Sequence, residues 1–158
     1  MMSAVRKTLF GVAMSWISEL RARGHQYDDL KFRMAASGQR IGARFHAAAP
    51  TENNIEAITH MTGIERWAAH RLRTAMGEPL VIDDYDGYRP AKGIAQGPLC
   101  DAFDASRAAT LQLVDELSAA RVPITAKVIH NELGAISVGA WLVYMNDHIE
   151  REGNLRVR

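Results

Sequence analysis

The stretch Ser137–Glu152, SVGAWLVYMNDHIERE, constrains this chain more than any other. At about 100° per residue, Val138, Trp141, Leu142, Met145 and Ile149 fall within one arc, the stripe of a core-facing helix. His148 and Glu152 fall in or beside the same arc, one turn apart. An imidazole and a carboxylate directed at a core need partners, because an unpaired buried charge costs several kcal/mol. Two readings follow: a structural hydrogen-bonded pair, or two ligands of a metal site completed from another helix.

The rest of the sequence reads as helices. Val5, Leu9, Val12, Trp16 and Leu20 recur at helical spacing, so residues 4–23 are expected to form an amphipathic helix of the mature protein rather than a cleaved signal. Gly24 ends it. A second helix is expected from Asp28 or Asp29 to about Ala48, with Leu30, Met34, Ile41 and Phe45 inward and a stripe diluted by Ala, Gly and Ser. Thr51 caps a third, Glu52 to Met76, apolar over more than half its circumference, as in an inner helix of a bundle. His60 lies at the edge of that wide face, whereas His70 projects with Arg66 and Arg73 and is expected to be solvated. A fourth helix is expected over Leu99 to Arg121. No segment alternates with period two long enough to predict a sheet, so the expected class is all-α, one domain over residues 1–158.

From Gly77 to Pro98, Pro and Gly interrupt every element, leaving a long crossover loop of the kind that often carries function. Asp83, Asp84 and Asp86 do not match a calcium loop. They are expected to be solvated, with Tyr85 and Tyr88 packed back on the domain.

A net charge of +1 implies neither a nucleic acid nor an anionic membrane as partner. No stretch approaches the roughly 20 apolar residues of a membrane span. The single Cys100 excludes an internal disulfide and a zinc site built on cysteines, and fits a reducing, cytoplasmic compartment. Residues 126–138 mimic a helix-turn-helix, but Gly139–Tyr144 offers no basic or polar side chain to bases or phosphates, so this reading fails. HExxH, GxSxG, CxxC and phosphate-loop spacings are all absent.

What remains is metal chemistry with His and carboxylate ligands. His148 and Glu152, at i and i+4, stand about 6 Å apart at Cβ, within reach of one cation. His60, inside a helix and beside its apolar face, is the best third ligand. His130-Asn131-Glu132 is a rival pair, better read as a hydrogen-bonding turn that borders the same pocket.

His60-Met-Thr-Gly-Ile-Glu65-Arg-Trp67 resembles the ligand-bearing helix of the DinB-like superfamily, commonly His-Leu-Ala-Gly-Val-Glu-Arg-Trp. Leu133-Gly134 and Trp141-Leu142 through His148 resemble that family's approach to its last helix, which usually carries HxxxH. The resemblance covers about residues 28–155, and Glu152 stands where the second histidine stands. It implies a four-helix bundle running up-down-down-up, with residues 77–98 as the crossover and residues 1–24 as an additional helix. It also implies a homodimer holding a divalent metal, zinc or nickel first, on His60, His148 and Glu152. Some members are transferases or isomerases that use a low-molecular-weight thiol, so the resemblance points to thiol transfer on small electrophiles. A non-catalytic dimeric ligand-binding or stress-response module is the alternative.

Overall fold

The computed structural model describes residues 4–158, with side chains from residue 11 onward. Five helices follow in order: α1 (Ala4–Ala22), α2 (Tyr27–Ala47), α3 (Glu52–Leu72), α4 (Gln96–Ala119) and α5 (Val138–Arg156). The helical class is as expected. An antiparallel hairpin, β1 (Lys127–His130) and β2 (Gly134–Ser137), precedes α5, with Val128 opposite Ile136 and His130 opposite Gly134. The hairpin corrects the expectation of no sheet. Its four-residue strands are too short for period two to register in a sequence, and Gly134 takes φ +73°, where glycine carries no Cβ penalty. It also replaces the first helix that a helix-turn-helix would need.

Boundaries shift by a few residues for local reasons. Helix α2 starts after Gln26, whose backbone N–H donates to Asp29 Oδ2 at 3.0 Å, so Asp29 serves three residues inside the helix rather than as its cap. Thr51 caps α3 as expected, Oγ1 accepting from Asn54 N at 3.2 Å, and α3 tightens into a 3-10 turn over Arg73–Met76. Ser137 Oγ accepts from Ala140 N at 3.0 Å and opens α5.

Helix α2 packs on α4 and α5, and α3 packs on α4 and α5, so the four helices close into a ring. The core inside it falls into two parts. At the hairpin end, Leu30, Met34, Trp67, Leu72, Leu113, Leu117 and Trp141 pack together. At the other end, Ile41, Phe45, Ile58, Met61, Phe103 and Ile149 do so. A buried polar layer lies between the two parts: Ser37 of α2, Thr62 and Glu65 of α3, and Ser106, Arg107 and Thr110 of α4. The small residues that dilute the α2 stripe find their reason here. A Cβ on Gly38 would stand 2.7 Å from Arg107 Cγ, and one on Gly42 would stand 2.4 Å from Asp104 Oδ1. Close approach of α2 to α4, not weak packing, is what those glycines serve.

Helix α1 lies on the outside of α5 and corrects a second expectation. Val5 and Leu9 fall outside the described side chains, but Val12, Trp16 and Leu20 are 53, 70 and 63% exposed. The helix instead turns Gly11 and Ser18 inward, and a Cβ on Gly11 would meet Glu132 O at 2.4 Å. Glu19 ties it to the hairpin and α5, accepting from Lys127 Nζ at 2.7 Å, Ser137 N at 2.7 Å and Ser137 Oγ at 2.8 Å. An apolar stripe identifies one face of a helix without naming the face that neighbours choose, and here small residues allow the closer packing. Trp16→Lys is therefore expected to change folding stability by less than about 0.5 kcal/mol, the range of surface substitutions. Loss of a core tryptophan would cost about 3–5 kcal/mol, and urea denaturation separates the two.

No helix among the described residues is long and apolar enough to cross a membrane.

Candidate metal and ligand site

Helix α3 presents His60 and α5 presents His148, and their ring centres stand 5.6 Å apart. The two residues that sequence reasoning paired across helices therefore meet. Tyr85, from a 3-10 turn over Tyr85–Tyr88 in the crossover, sets its ring edge-to-face on His60 at 5.0 Å. Tyr144 flanks His148 at 6.0 Å and touches His130 edge-to-face at 4.9 Å. Tyr85, His60, His148, Tyr144 and His130 thus form one continuous row of rings. Neither tyrosine was singled out from sequence as a site residue. For Tyr144 a signal existed, since it precedes His148 by one turn; Tyr85 had none, because loop residues carry no period.

The crossover is strapped down rather than free. Asp83 Oδ1 accepts from Trp67 Nε1 at 3.1 Å and Arg71 Nη2 at 3.0 Å, and its Oδ2 accepts from Tyr88 Oη at 2.5 Å. Asn131 Nδ2 donates to the Asp83 carbonyl at 2.8 Å. Partial burial pushes the Asp83 carboxyl up, but the hydrogen bonds from Tyr88, Arg71 and Trp67 outweigh it and leave the group below its ordinary pKa. The expectation of a solvated acidic cluster therefore fails at Asp83. His70 is corrected as well: it is half-buried, with Nδ1 2.8 Å from Tyr88 Oη. Gly63 lets the strap come this close, since a Cβ there would lie 2.8 Å from Arg89 Cγ and 3.1 Å from Tyr85 O.

Three guanidinium groups surround the histidine pair. Arg89 Nη2 lies 3.4 Å from His60 Nδ1 while its other nitrogens pair with Glu56 and Asp86, each at 2.6 Å. Arg151 Nη2 lies 3.4 Å from His148 Nδ1. Glu152, one turn beyond His148, turns its carboxylate toward Arg156 at 3.4 Å and Arg151 at 3.5 Å. Burial, then the charges of Arg156 and Arg89, hold the His60 pKa below its ordinary value against Glu152 and Glu56. Burial, then His60, lower His148 to about 4, with Glu152 opposing. Both imidazoles are neutral near pH 7 and keep a lone pair.

The donor chemistry fits a divalent ion. His148 Nε2 is buried without a hydrogen-bond partner, and in the tautomer with its proton on Nδ1 that nitrogen offers a metal its lone pair. Two imidazoles on one tetrahedral ion, with metal–nitrogen distances of about 2.0–2.1 Å, place their ring centres about 5 Å apart, close to the separation seen here. Two imidazoles and one carboxylate also make up a known catalytic zinc set. Glu152 is the part not in place: among the described residues no three His, Cys, Asp or Glu side chains stand ready around one ion. Its arginine contacts are long and partly exposed, and such contacts are worth little, so the carboxylate is cheap to redirect.

His130-Asn131-Glu132 forms the hydrogen-bonding turn that the sequence predicts. His130 Nδ1 accepts from Glu132 N at 3.1 Å and Leu133 N at 3.2 Å, and its ring is packed among Trp67, Trp141 and Tyr144.

No protein-family model, no curated protein and no solved structure matches the chain.

Proposed function

We propose that this chain is a DinB-like, up-down-down-up bundle protein that holds a divalent ion, zinc or nickel, on His60, His148 and Glu152. Its activity on this reading is transfer of a low-molecular-weight thiol to small electrophiles, or a related isomerisation. The observation that carries the reading is the meeting of two neutral imidazoles from α3 and α5, one with a buried nitrogen that nothing satisfies. The helix ring, and a crossover between its second and third helices, support the topology.

When bound, the ion supplies a positive charge that lowers the pKa of a thiol. The chain's own groups do the rest. His60 and His148 remain neutral and offer lone pairs. Tyr144, whose pKa burial raises, keeps its proton at neutral pH and is a proton donor beside His148. Tyr85, held by the Asp83 strap, covers one side of the His60 ring edge-to-face. The reading includes a homodimer, which a measurement of molar mass in solution tests.

A non-catalytic small-ligand-binding module is the second reading, favoured by the direction of the Glu152 carboxylate, which faces Arg151 and Arg156. A screen of cysteine-derived thiols against a chromogenic electrophile, with zinc, nickel or manganese supplied, separates the two. The thiol-transfer reading expects turnover that depends on added metal and falls at least about a hundredfold in His148→Ala. The ligand-binding reading expects none with any thiol or metal.

A further inference from the structure

We propose that the pocket between α1 and α5 binds a small organic carboxylate, its anionic end on Arg151 beside His148 Nδ1 and its apolar body against Met14 and Ile17. The pocket has a volume of about 410 Å³, and Tyr144 and His148 line its α5 side. That size suits a molecule of several carbons.

The charge balance of the lining selects the ligand. Arg21 pairs with Asp147, and Glu150 pairs with Arg40 at 2.5 Å, so the three other charged side chains of the lining are each balanced by a neighbour. Arg151 is different. Its side chain is 52% exposed, and among the described residues its one carboxylate neighbour is Glu152 at 3.5 Å, which Arg156 also approaches. An unbalanced guanidinium beside an apolar wall fits one planar anion with a hydrocarbon body, because its parallel N–H groups match the two oxygens of a carboxylate. A phosphate dianion would leave more charge uncompensated than a single arginine meets.

His148 adds a second reason, which rests on the metal reading above. An ion on Nε2 leaves the proton on Nδ1, and metal-bound histidines ordinarily donate that proton to a carboxylate, a carbonyl or water. Here the nearest group is the Arg151 Nη2 donor at 3.4 Å. A carboxylate in the pocket accepts from both and links the ligand to the metal side of the ring. Helix α1 thereby becomes the wall of a binding site, since Met14 and Ile17 belong to it.

Calorimetric titration of the full chain with hexanoate, hexanol and hexylamine tests this, once after chelator treatment and once with zinc restored. Hexanoate is expected to bind one per chain in both states, with hexanol and hexylamine about tenfold weaker or more. Arg151→Gln should bring hexanoate down to the level of hexanol, while Arg33→Gln, at an exposed arginine of α2 outside this lining, changes nothing. Ile17→Trp, at a position already 46% exposed and so tolerant in folding, should fill the pocket and abolish binding of all three. No binding of hexanoate in either state, equal binding to the Arg151→Gln protein, or undiminished binding to Ile17→Trp overturns the proposal. Zinc content measured on the same samples keeps the two readings apart: hexanoate binding to a protein that takes up no zinc rejects the metal site and retains this pocket.

Discussion

Glu65→Ala is expected to cost about 3–5 kcal/mol of folding stability, most of what a domain of ordinary stability has. Glu65 and Arg107 are 0 and 5% exposed at the centre of the helix ring, with Arg107 Nε 3.3 Å from Glu65 Oε1. Neither carboxylate oxygen and none of the three guanidinium nitrogens makes an aligned hydrogen bond to another side chain or the backbone, so the two meet as charges buried from solvent. Removing one charge leaves the other buried and uncompensated, the costliest outcome for a group of this kind. Replacing both with apolar residues of similar size, Glu65→Leu with Arg107→Met, is expected to recover most of the loss and can exceed the wild type. Urea denaturation midpoints of the two single variants and the double variant give the coupling directly. A Glu65→Ala protein within about 1 kcal/mol of wild type would mean that water reaches this layer.

Acid is expected to unfold the metal-free protein earlier than its carboxylates alone would require. Burial, then the Arg71 guanidinium and His148, hold His130 down to about 4 in the folded state, against an unfolded value of about 6.5. The folded pKa is the lower one, so the unfolded chain takes up the proton first. The stabilisation is complete above about pH 6.5 and is lost as pH falls toward about 4, a change of about 3 kcal/mol from this residue. His148, also held down to about 4, adds to the same slope. His130→Gln removes one titration and keeps an oxygen acceptor for the Glu132 and Leu133 amides. Stability measured by urea at pH 7.5, 6.0 and 5.0 should fall steeply in wild type and about half as steeply in His130→Gln. Equal slopes would place the buried cost elsewhere.

The long periodic helices were legible because burial of one face over five turns leaves a 3.6-residue signature. Trp141, Met145 and Ile149 are buried as that signature requires. The His60–His148 meeting was legible for the same reason, as two polar residues on apolar flanks. The hairpin was not, because strands of four residues carry two alternations at most. Nor was the central ion pair: no sequence period marks Glu65 and Arg107 as partners, and Arg107 is covered where α2 comes close at Gly38, a tertiary fact. The inward turn of Asp83 was hidden for a related reason, since a loop residue carries no period that would bring it to Trp67 and Arg71 of α3. The exposed stripe of α1 shows the converse, with Trp16 in a clear helical pattern and yet 70% exposed.

Equilibrium dialysis against zinc, with wild type, His60→Ala and His148→Ala proteins side by side, tests the central claim most directly. The account predicts one ion per wild-type chain and affinity at least about a hundredfold weaker in each variant, since each loses one of three protein ligands. Zinc content that is the same in all three proteins, or absent from wild type, would contradict it.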